Sequence, residues 1–228
     1  MGLARAVGGD GLAHRLDVTD AVAVEELVKE VGARWGAPAV VVNNAGIGLA
    51  GRVLDTSVDD WARVLDVNLW GVIHGSRLFG RLMADWGEGG HIVNVASAAA
   101  FQPSKAYPAY ATSKAAVLML SECLRAELAT DGIGVSAICP GVVDTNIVRR
   151  TRFVGVDGGA QAQRQRQADR LYRRRGYGPD RVAKAILAAV DHDRPVVPVS
   201  PEARLARLGS RFAPGVMRRI AAVDPTPR

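Results

Sequence analysis

The amino-acid sequence predicts a single α/β domain built on a parallel sheet with helices on both faces. Short β-rich runs alternate along the chain with longer helical stretches, as expected when crossover helices join parallel strands. Residues 39–42 form a continuously apolar run that ends at Asn43, as in strands buried on both faces of a sheet. The length of 228 residues fits one domain, and 48% of the residues are hydrophobic.

The elements follow one another in a regular order. The predicted strands are short runs of β-branched and other apolar residues, and they comprise residues 13–18, 39–43, 90–95, 134–138 and 195–199. The predicted helices comprise residues 21–35, 58–83, 109–128 and 179–190. Asp20 is predicted to cap the first helix, and two prolines put the last strand at an edge of the sheet. Residues 154–175, rich in Gly, Gln and Arg, are predicted to be the least ordered part.

The composition of the chain indicates the cellular compartment and whether a metal is bound. No apolar run approaches the length of a membrane-spanning helix, and the first ten residues lack the apolar core of a secretory signal. Cys123 and Cys139 lack metal-ligand spacing, so two reduced thiols and no metal are expected. These features predict a cytoplasmic protein.

The net charge of +6 is unevenly distributed. Residues 146–228 contain 18 Lys/Arg against 7 Asp/Glu, whereas residues 1–145 contain 11 against 16. A nucleic-acid surface is one interpretation of the arginines between residues 164 and 175. No recognition motif accompanies them and aromatic residues are few, so no nucleic-acid partner is expected.

A tyrosine and a lysine stand one turn apart in the predicted helix at residues 109–128. Tyr110 and Lys114 are four residues apart, so their side chains share one helix face. A free tyrosine has a pKa of about 10, and a nearby ammonium lowers that pKa. Such a pair can give and take a proton, which the interconversion of an alcohol and a carbonyl requires. The same spacing also arises by chance on exposed helices.

Further polar residues follow or interrupt the apolar elements. Ser97 lies just past the strand at residues 90–95, where ligands of open α/β sheets bind, although a turn-forming serine is the alternative. Asn43-Asn44-Ala45-Gly46 follows the strongest strand, and a simple β-turn is its alternative. Asn68 is polar within an apolar helix, so it either satisfies the fold or organises a chain of water molecules.

These motifs together resemble the short-chain dehydrogenase/reductase family, whose fold is a Rossmann-type doubly wound parallel sheet. Asn68, Ser97, Tyr110 and Lys114 stand in the order of the family's catalytic tetrad. The resemblance implies that the chain transfers hydride between NAD or NADP and a small-molecule secondary alcohol or carbonyl. Tyr110 would then donate a proton to the carbonyl oxygen, and Ser97 would position that oxygen. Lys114 would lower the tyrosine pKa and hold the nicotinamide ribose, and Asn68 would anchor a water.

The resemblance also implies which residues contact the cofactor. The stretch at residues 17–20 resembles the one whose acidic residue contacts adenine, and the loop at residues 43–46 resembles the one that lines the adenosine. Residues 140–145 resemble the loop that holds the nicotinamide amide. The implied contacts are Asp17, Val18, Asn44, Ala45, Gly46, Tyr110, Lys114, Pro140, Gly141, Val143 and Thr145.

One part of the family pattern is missing from the sequence. The family opens with a strand, a glycine-rich turn and a helix whose N-terminus binds pyrophosphate, and no such unit precedes residue 13. We therefore expect an N-terminally truncated domain at residues 1–200, whether from a misplaced start, a fusion fragment or a true remnant. A non-catalytic binding or scaffold protein is the alternative function. Cofactor binding would separate the two.

Two narrower expectations concern the substrate and the assembly. The segments at residues 101–103, 118–128 and 138–141 resemble the reductase half of actinobacterial proteins that fuse an epoxide hydrolase to this fold, which makes a lipid-like substrate the leading expectation. The helix at residues 109–128 is apolar over most of its circumference, so we expect it to pack, with the helix containing Asn68, in a homodimer or homotetramer.

The C-terminal residues 201–228 are predicted to form a basic amphipathic helical tail. Leu205, Leu208 and Phe212 fall at helical spacing, with arginines beside them, and Pro214-Gly215 breaks the helix. A weak contact with a membrane surface is one expectation for this tail. Packing over the substrate pocket or on another subunit is the other.

Overall fold

The main sheet has four parallel strands. The computed structural model describes residues 11–144, 146–175 and 177–222. Within them, β1 (Val40–Asn43), β3 (Gly90–Val95), β4 (Ile133–Cys139) and β6 (Val196–Pro198) lie side by side in that order, and every neighbouring pair is parallel. A small second sheet pairs β2 (Leu49–Ala50) with β5 (Arg152–Phe153). The predicted parallel α/β fold is confirmed.

Helices connect the strands. In the described chain they are α1 (Ala21–Trp35), α2 (Val58–Leu65), α3 (Gly71–Trp86), α4 (Pro108–Leu128), α5 (Asn146–Arg150), α6 (Gly158–Arg175), α7 (Pro179–Asp191), α8 (Pro201–Phe212) and α9 (Pro214–Ala221). Asp20 caps α1 as predicted, because its carboxylate accepts hydrogen bonds from the backbone N–H groups of Val22 and Ala23. The predicted bounds of α1, α4, α7, β1, β3, β4 and β6 agree with the structure within two residues.

The core lies on both faces of the sheet. On one face, Ile92 of β3 and Val135 of β4 pack with Met83 of α3 and Leu128 of α4. On the other face, residues of the same two strands pack against Ala189 and its neighbours on α7. Alternate residues of a strand point to opposite faces, so helices on both sides bury the two central strands on both faces.

The predicted strand at residues 13–18 is wrong. Residues 11–17 adopt no regular secondary structure. A strand requires a hydrogen-bonding neighbour, and in the described chain this segment has none, because β1 forms one edge of the sheet and pairs only with β3.

Burial of β1 on both faces is also wrong. Val41 is buried, whereas Val40 and Val42 are 42% and 44% exposed. Val41 points towards the core formed with α3, and its two neighbours point to the opposite face. The helix on that face, α7, contacts β3 and β4. The apolar composition of β1 predicted a strand buried on both faces. In the described chain, the face of Val41 is buried and the face of Val40 and Val42 is partly exposed.

Residues 154–175, predicted to be the least ordered part of the chain, are largely helical. Most of this segment forms the helix α6, whose residues Gly158–Arg175 are rich in Ala, Gln and Arg. These are strong helix formers, and the side chain of Asp157 accepts a hydrogen bond from the backbone N–H of Ala160 at 2.8 Å. Propensity and capping therefore favour a helix here in spite of the polar composition, and its rank as the least ordered part stays a prediction.

The tail forms two helices, α8 and α9, separated at Pro214 as predicted. Ala203 and Ala206 of α8 are buried, so this helix packs on the domain. The division of the chain at residue 200 stays a prediction. In the described parts of the chain, no helix is long and apolar enough to cross a membrane.

Candidate active site

The loops that leave the carboxyl ends of β1, β3 and β4 meet at one edge of the sheet. Val95, the last residue of β3, pairs with Ile138 of β4, and the backbone N–H of Ala96 donates to the Ile138 carbonyl at 2.7 Å. The N–H of Ala98 then donates to the carbonyl of Pro140 at 2.7 Å. This is the edge at which open α/β sheets bind their ligands.

Lys114 points from α4 to the end of β3. Its Nζ donates a hydrogen bond to the carbonyl of Val95 at 2.9 Å, and the residue is only 3% exposed. Burial disfavours the ammonium and lowers the pKa of Lys114 to about 8. At pH 7, which is below this pKa, the protonated form still predominates. A positive charge is therefore held at this edge, and it can be lost just above neutral pH.

Tyr110 lies one turn before Lys114, as predicted. The Lys114 Nζ lies 6.0 Å from the centroid of the Tyr110 ring. The ring also meets that of Tyr107 edge to face, with the centroids 6.4 Å apart. The phenol and the ammonium therefore occupy the same face of α4.

Asn68 lies in a π-helical turn, Asp66–Trp70, between α2 and α3. Such turns widen the helix by one residue and often occur at functional sites. The Asn68 Oδ1 accepts from the N–H of Ile47 at 2.8 Å, and Nδ2 donates to the Ile47 carbonyl at 3.0 Å. Asn68 thus pairs with the backbone of the loop that follows β1, as a neighbouring strand would.

Gly46 brings this loop close to both Asn68 and Lys114. A Cβ atom built on Gly46 would lie 3.4 Å from the Asn68 Oδ1 and 3.4 Å from the Lys114 Nζ. Three elements distant in sequence therefore converge within one small volume. The predicted residues Asn44 and Ala45 lie in the same loop, directly before Gly46.

Ser113 was not predicted as a site residue. Its hydroxyl donates to the carbonyl of Tyr110 at 2.7 Å and accepts from the Nδ2 of Asn68 at 3.1 Å. A serine three residues after a tyrosine on a helix can bond back to that carbonyl, so its spacing is a signal that the sequence did carry. Ser113 links the turn of Asn68 to the helix of Tyr110.

Ser97 lies at the same edge, directly after β3. Its Oγ accepts from the N–H of Ala99 at 3.1 Å and donates to the carbonyl of Pro140 at a long 3.5 Å. The first bond caps the short 3-10 helix Ala98–Phe101. The structure therefore supports the turn-forming interpretation of Ser97, and its weak second bond leaves the hydroxyl proton available to another acceptor.

Beneath the site, a buried polar network joins β1 to β3 and α3. The Nδ2 of Asn43 donates to the Oδ1 of Asn94 at 2.8 Å and to the Oγ of Ser76 at 3.0 Å. The Ser76 hydroxyl also donates to Asn94, whose own amide donates to Ser121 of α4. Buried polar groups need such partners, and here they fix the end of β1 relative to two helices.

The loop after β4 is held by the start of α8. The N–H of Val142 donates to the Oε1 of Glu202 at 2.9 Å, and the N–H of Asp144 donates to the carbonyl of Tyr177 at 3.0 Å. Val143, one of the predicted cofactor contacts, is buried, whereas Pro140 and Gly141 are partly exposed. Thr145 lies outside the described residues.

Asp17 and Val18 lie apart from this cluster. The Asp17 carboxylate accepts from the N–H and the hydroxyl of Thr19, which lowers its pKa. Val18 packs on Gly71 at the start of α3, where a Cβ atom would lie only 2.8 Å from the valine methyl. The two residues thus lie beside the helix that follows Asn68. The described chain contains no group of three metal-ligating side chains.

The parallel sheet with helices on both faces is that of a Rossmann-type protein, and the Tyr–Lys pair lies at its carboxyl edge. Residues 3–153 match the short chain dehydrogenase family. The structure superimposes on a short chain dehydrogenase/reductase from Burkholderia phymatum, crystallised with NAD, at a TM-score of 0.82 and 31% identity; the match covers 98% of this chain and 82% of that one. The chain belongs to the short-chain dehydrogenase/reductase family, as expected.

Two relatives have names that describe oxidoreductases. The probable oxidoreductase EphD of Mycobacterium tuberculosis is 50% identical over 216 residues, which are 94% of this chain and 36% of that protein. Meso-2,3-butanediol dehydrogenase of Serratia marcescens is 33% identical over 185 residues, which are 81% of this chain and 69% of that protein. The chain therefore spans about a third of the length of EphD. These relatives do not favour a non-catalytic scaffold.

Proposed function

We propose that this protein interconverts a secondary alcohol and a carbonyl with NAD or NADP. The observation that carries the proposal is the convergence of the buried Lys114, the Tyr110 ring and Asn68 beside Gly46 at the carboxyl edge of the sheet. A bound dinucleotide supplies or accepts hydride in such a site. The structurally similar Burkholderia phymatum protein was crystallised with NAD.

Each residue of the site has a proposed part in moving or holding a proton. The Tyr110 hydroxyl donates a proton to the substrate oxygen in reduction and accepts it in oxidation. The Lys114 ammonium lowers the pKa of that hydroxyl through its positive charge. Ser97 donates a hydrogen bond to the substrate oxygen, and Asn68 holds the loop of Gly46 in place and anchors a water beside Lys114.

The residues proposed to hold the cofactor surround this centre. Gly46 has no side chain between its backbone and the polar ends of Asn68 and Lys114, which supports close approach of a ribose. The full proposed set is Asp17, Val18, Asn44, Ala45, Gly46, Tyr110, Lys114, Pro140, Gly141, Val143 and Thr145.

We propose a substrate with a lipid-like portion. A cavity of about 310 Å³ lies between the turn that follows Ser97 and the first turns of α4. Its lining is largely apolar and includes Phe101, Pro103, Ala111 and Ala115. A largely apolar lining that includes Ala111, the residue after the proposed proton donor, supports a substrate whose carbonyl is attached to hydrocarbon.

The family also supports assembly, and we propose a homodimer or homotetramer. Met119 on α4 is 64% exposed, and Trp70, directly before α3, is 51% exposed and stacks on His74. Large apolar side chains exposed on the two helices proposed for the interface are typical of surfaces that bind a partner. A second copy of the chain would cover them.

The tyrosine gives the sharpest test of the proposed function. Substitution of Tyr110→Phe removes the hydroxyl and keeps the ring, so we expect a loss of at least about a hundredfold in NAD(P)-dependent turnover of a panel of secondary alcohols. Tyr107→Phe, which changes the adjacent ring in the same way, is the matched control. Full turnover by the Tyr110→Phe variant would overturn the proposal.

A further inference from the structure

The outer face of the two C-terminal helices is apolar. On α8, Leu205, Leu208 and Phe212 are 70%, 55% and 75% exposed. They lie on the side of the helix opposite Ala203 and Ala206, which are buried against the domain. The packing of α8 therefore leaves its three largest apolar side chains in solvent.

The short helix α9 extends this face. Val216 and Ile220 stand one turn apart and are 54% and 58% exposed. Met217 packs against Gly209, where a Cβ atom would lie 2.6 Å from its sulfur, so α9 rests on α8. We call the five exposed apolar side chains of the two helices the tail face: Leu205, Leu208, Phe212, Val216 and Ile220.

Positive charge surrounds the tail face. Residues 203–222 contain five arginines and no acidic residue. Arg204, Arg211, Arg218 and Arg219 are exposed, and the Arg211 guanidinium lies 5.8 Å from the centroid of the Phe212 ring. The carboxylate of Glu202, the one acidic group of α8, is directed inwards to the N–H of Val142. Glu202 is thus the one acidic side chain of the two helices, and the five arginines outnumber it.

A cavity at the start of α8 places two arginines near the tail face. It has a volume of about 390 Å³, and its lining includes Arg181 of α7 together with Glu202 and Arg204 of α8. Arg204 thus borders both this cavity and the tail face. Guanidinium groups bind phosphate oxygens through paired hydrogen bonds, so this position suits a phosphate group beside an apolar layer.

We propose that the tail face docks on an anionic lipid surface. Its apolar side chains enter the boundary between headgroups and acyl chains, and its arginines contact the lipid phosphates. A second copy fits less well, because two-fold pairing of this face would bring the two sets of arginines together without acidic partners. This proposal does not depend on the proposed catalytic function, since lipid binding is measured without cofactor or substrate.

Flotation of the 228-residue chain with vesicles tests the proposal. One set of vesicles contains phosphatidylcholine alone. The other contains phosphatidylcholine with about 30% phosphatidylglycerol, so that about one lipid in three carries a negative charge, as on an anionic membrane surface. We expect binding to the anionic vesicles only. The double substitution L205S/F212S should weaken binding at least about tenfold, and Arg204→Gln should weaken it about fivefold.

Leu54→Ser is the matched control, because Leu54 is 87% exposed and lies outside the tail face. It should bind as the unsubstituted chain does, and circular dichroism should show that all variants fold. Equal binding by the L205S/F212S variant and the unsubstituted chain would overturn the proposal, as would no binding by either. So would light scattering that finds self-association abolished by L205S/F212S, since the tail face would then cover a second copy.

Discussion

At the scale of single residues, Lys114 is a buried charge that weakens the fold, and it is informative about function for that reason. A buried ammonium is disfavoured, yet the lysine is held at the end of β3 by a hydrogen bond to one backbone carbonyl. Side chains that weaken the fold while their charge faces a cleft are candidates for chemistry. The lowered pKa of Lys114 also makes a prediction about stability.

Substitution of Lys114→Met should stabilise the protein at pH 7 by about 2 kcal/mol while it removes activity. The pKa of Lys114 is about 8 in the fold and 10.5 in an unfolded chain, so the unfolded state holds more protons between these values. The free energy of unfolding of the unsubstituted protein should therefore rise relative to that of the variant from pH 8 to 10.5. Urea denaturation across this range measures the difference, and a constant difference would contradict the assignment.

Some residues of the site could be predicted from the sequence, and others could not. That Tyr110 and Lys114 share one face of α4 follows from helical spacing, whereas their place in a site was implied by the resemblance to the family. The hydroxyl of Ser113 was missed because a serine within a helix usually faces solvent or its own backbone. Its second bond, to Asn68, depends on how α4 packs against the π-helical turn, and no local pattern reports that packing.

At the scale of elements, the helix α3 is shaped by the polar network under the site. Gly75 faces Asn43, and a Cβ atom there would lie 2.1 Å from the asparagine Oδ1. A glycine within a helix lowers the stability of that helix. It is required here because a larger residue would collide with the Asn43 side chain. The end of β1, and with it the loop of Gly46, is thereby fixed against α3.

Substitution of Gly75→Ala should destabilise the protein by about 1–3 kcal/mol, although alanine is the better helix former. Gly80→Ala on the same helix is the control, because a Cβ atom there would meet its neighbours at an ordinary 3.5 Å. That change should be neutral or stabilise by up to about 1 kcal/mol. Thermal unfolding of both variants measures the contrast, and equal melting temperatures would refute the role given to the network.

The elements that were predicted wrongly share a cause. Residues 13–18 have the composition of a strand, and the strand fails to form because pairing requires a neighbour elsewhere in the chain. Val40 and Val42 have the composition of buried residues, and their exposure depends on which strands α7 covers. The elements α1, β3 and α4 were predicted well because capping residues and periodicity are local.

At the scale of the whole molecule, the described residues of the main sheet lack the glycine-rich turn of a dinucleotide-binding fold. None of its strands leads through a glycine-rich turn directly into a helix, because the glycines after β1 lead to the two-residue strand β2. A helix N-terminus with close-approaching glycines is the usual pyrophosphate site of these folds. We therefore expect the affinity of the chain for dinucleotides to be low.

We predict that the 228-residue chain binds NADH and NADPH weakly, with dissociation constants above about 100 μM, since its described residues offer no glycine-rich turn that leads into a helix N-terminus. The same chain placed behind a strand, glycine-rich turn and helix of the family should bind at least about tenfold more tightly. Isothermal titration calorimetry on both forms is the measurement. Micromolar binding by the 228-residue chain itself would show that the pyrophosphate is held elsewhere.

The proposed assembly makes a prediction about α4. Substitution of Met119→Glu puts a charge in the middle of the proposed subunit interface and should shift the protein towards monomer by at least about tenfold in dissociation constant. Leu54→Glu, at another exposed leucine, should leave the assembly unchanged. Light scattering at several concentrations distinguishes the two, and a stable monomer of the unsubstituted form would rule the interface out.

The most direct test of the central claim follows the hydride itself. The chain is fused behind a strand, glycine-rich turn and helix of the family. This fusion is incubated with NADH or NADPH deuterated at C4 of the nicotinamide, together with a panel of ketones that includes lipid-like members. Mass spectrometry should find one deuterium on the carbinol carbon of the product, and Tyr110→Phe should lower the rate of labelling at least about a hundredfold. Tight cofactor binding with no labelled alcohol from any ketone, or labelling that is unchanged by Tyr110→Phe, would contradict the proposed function.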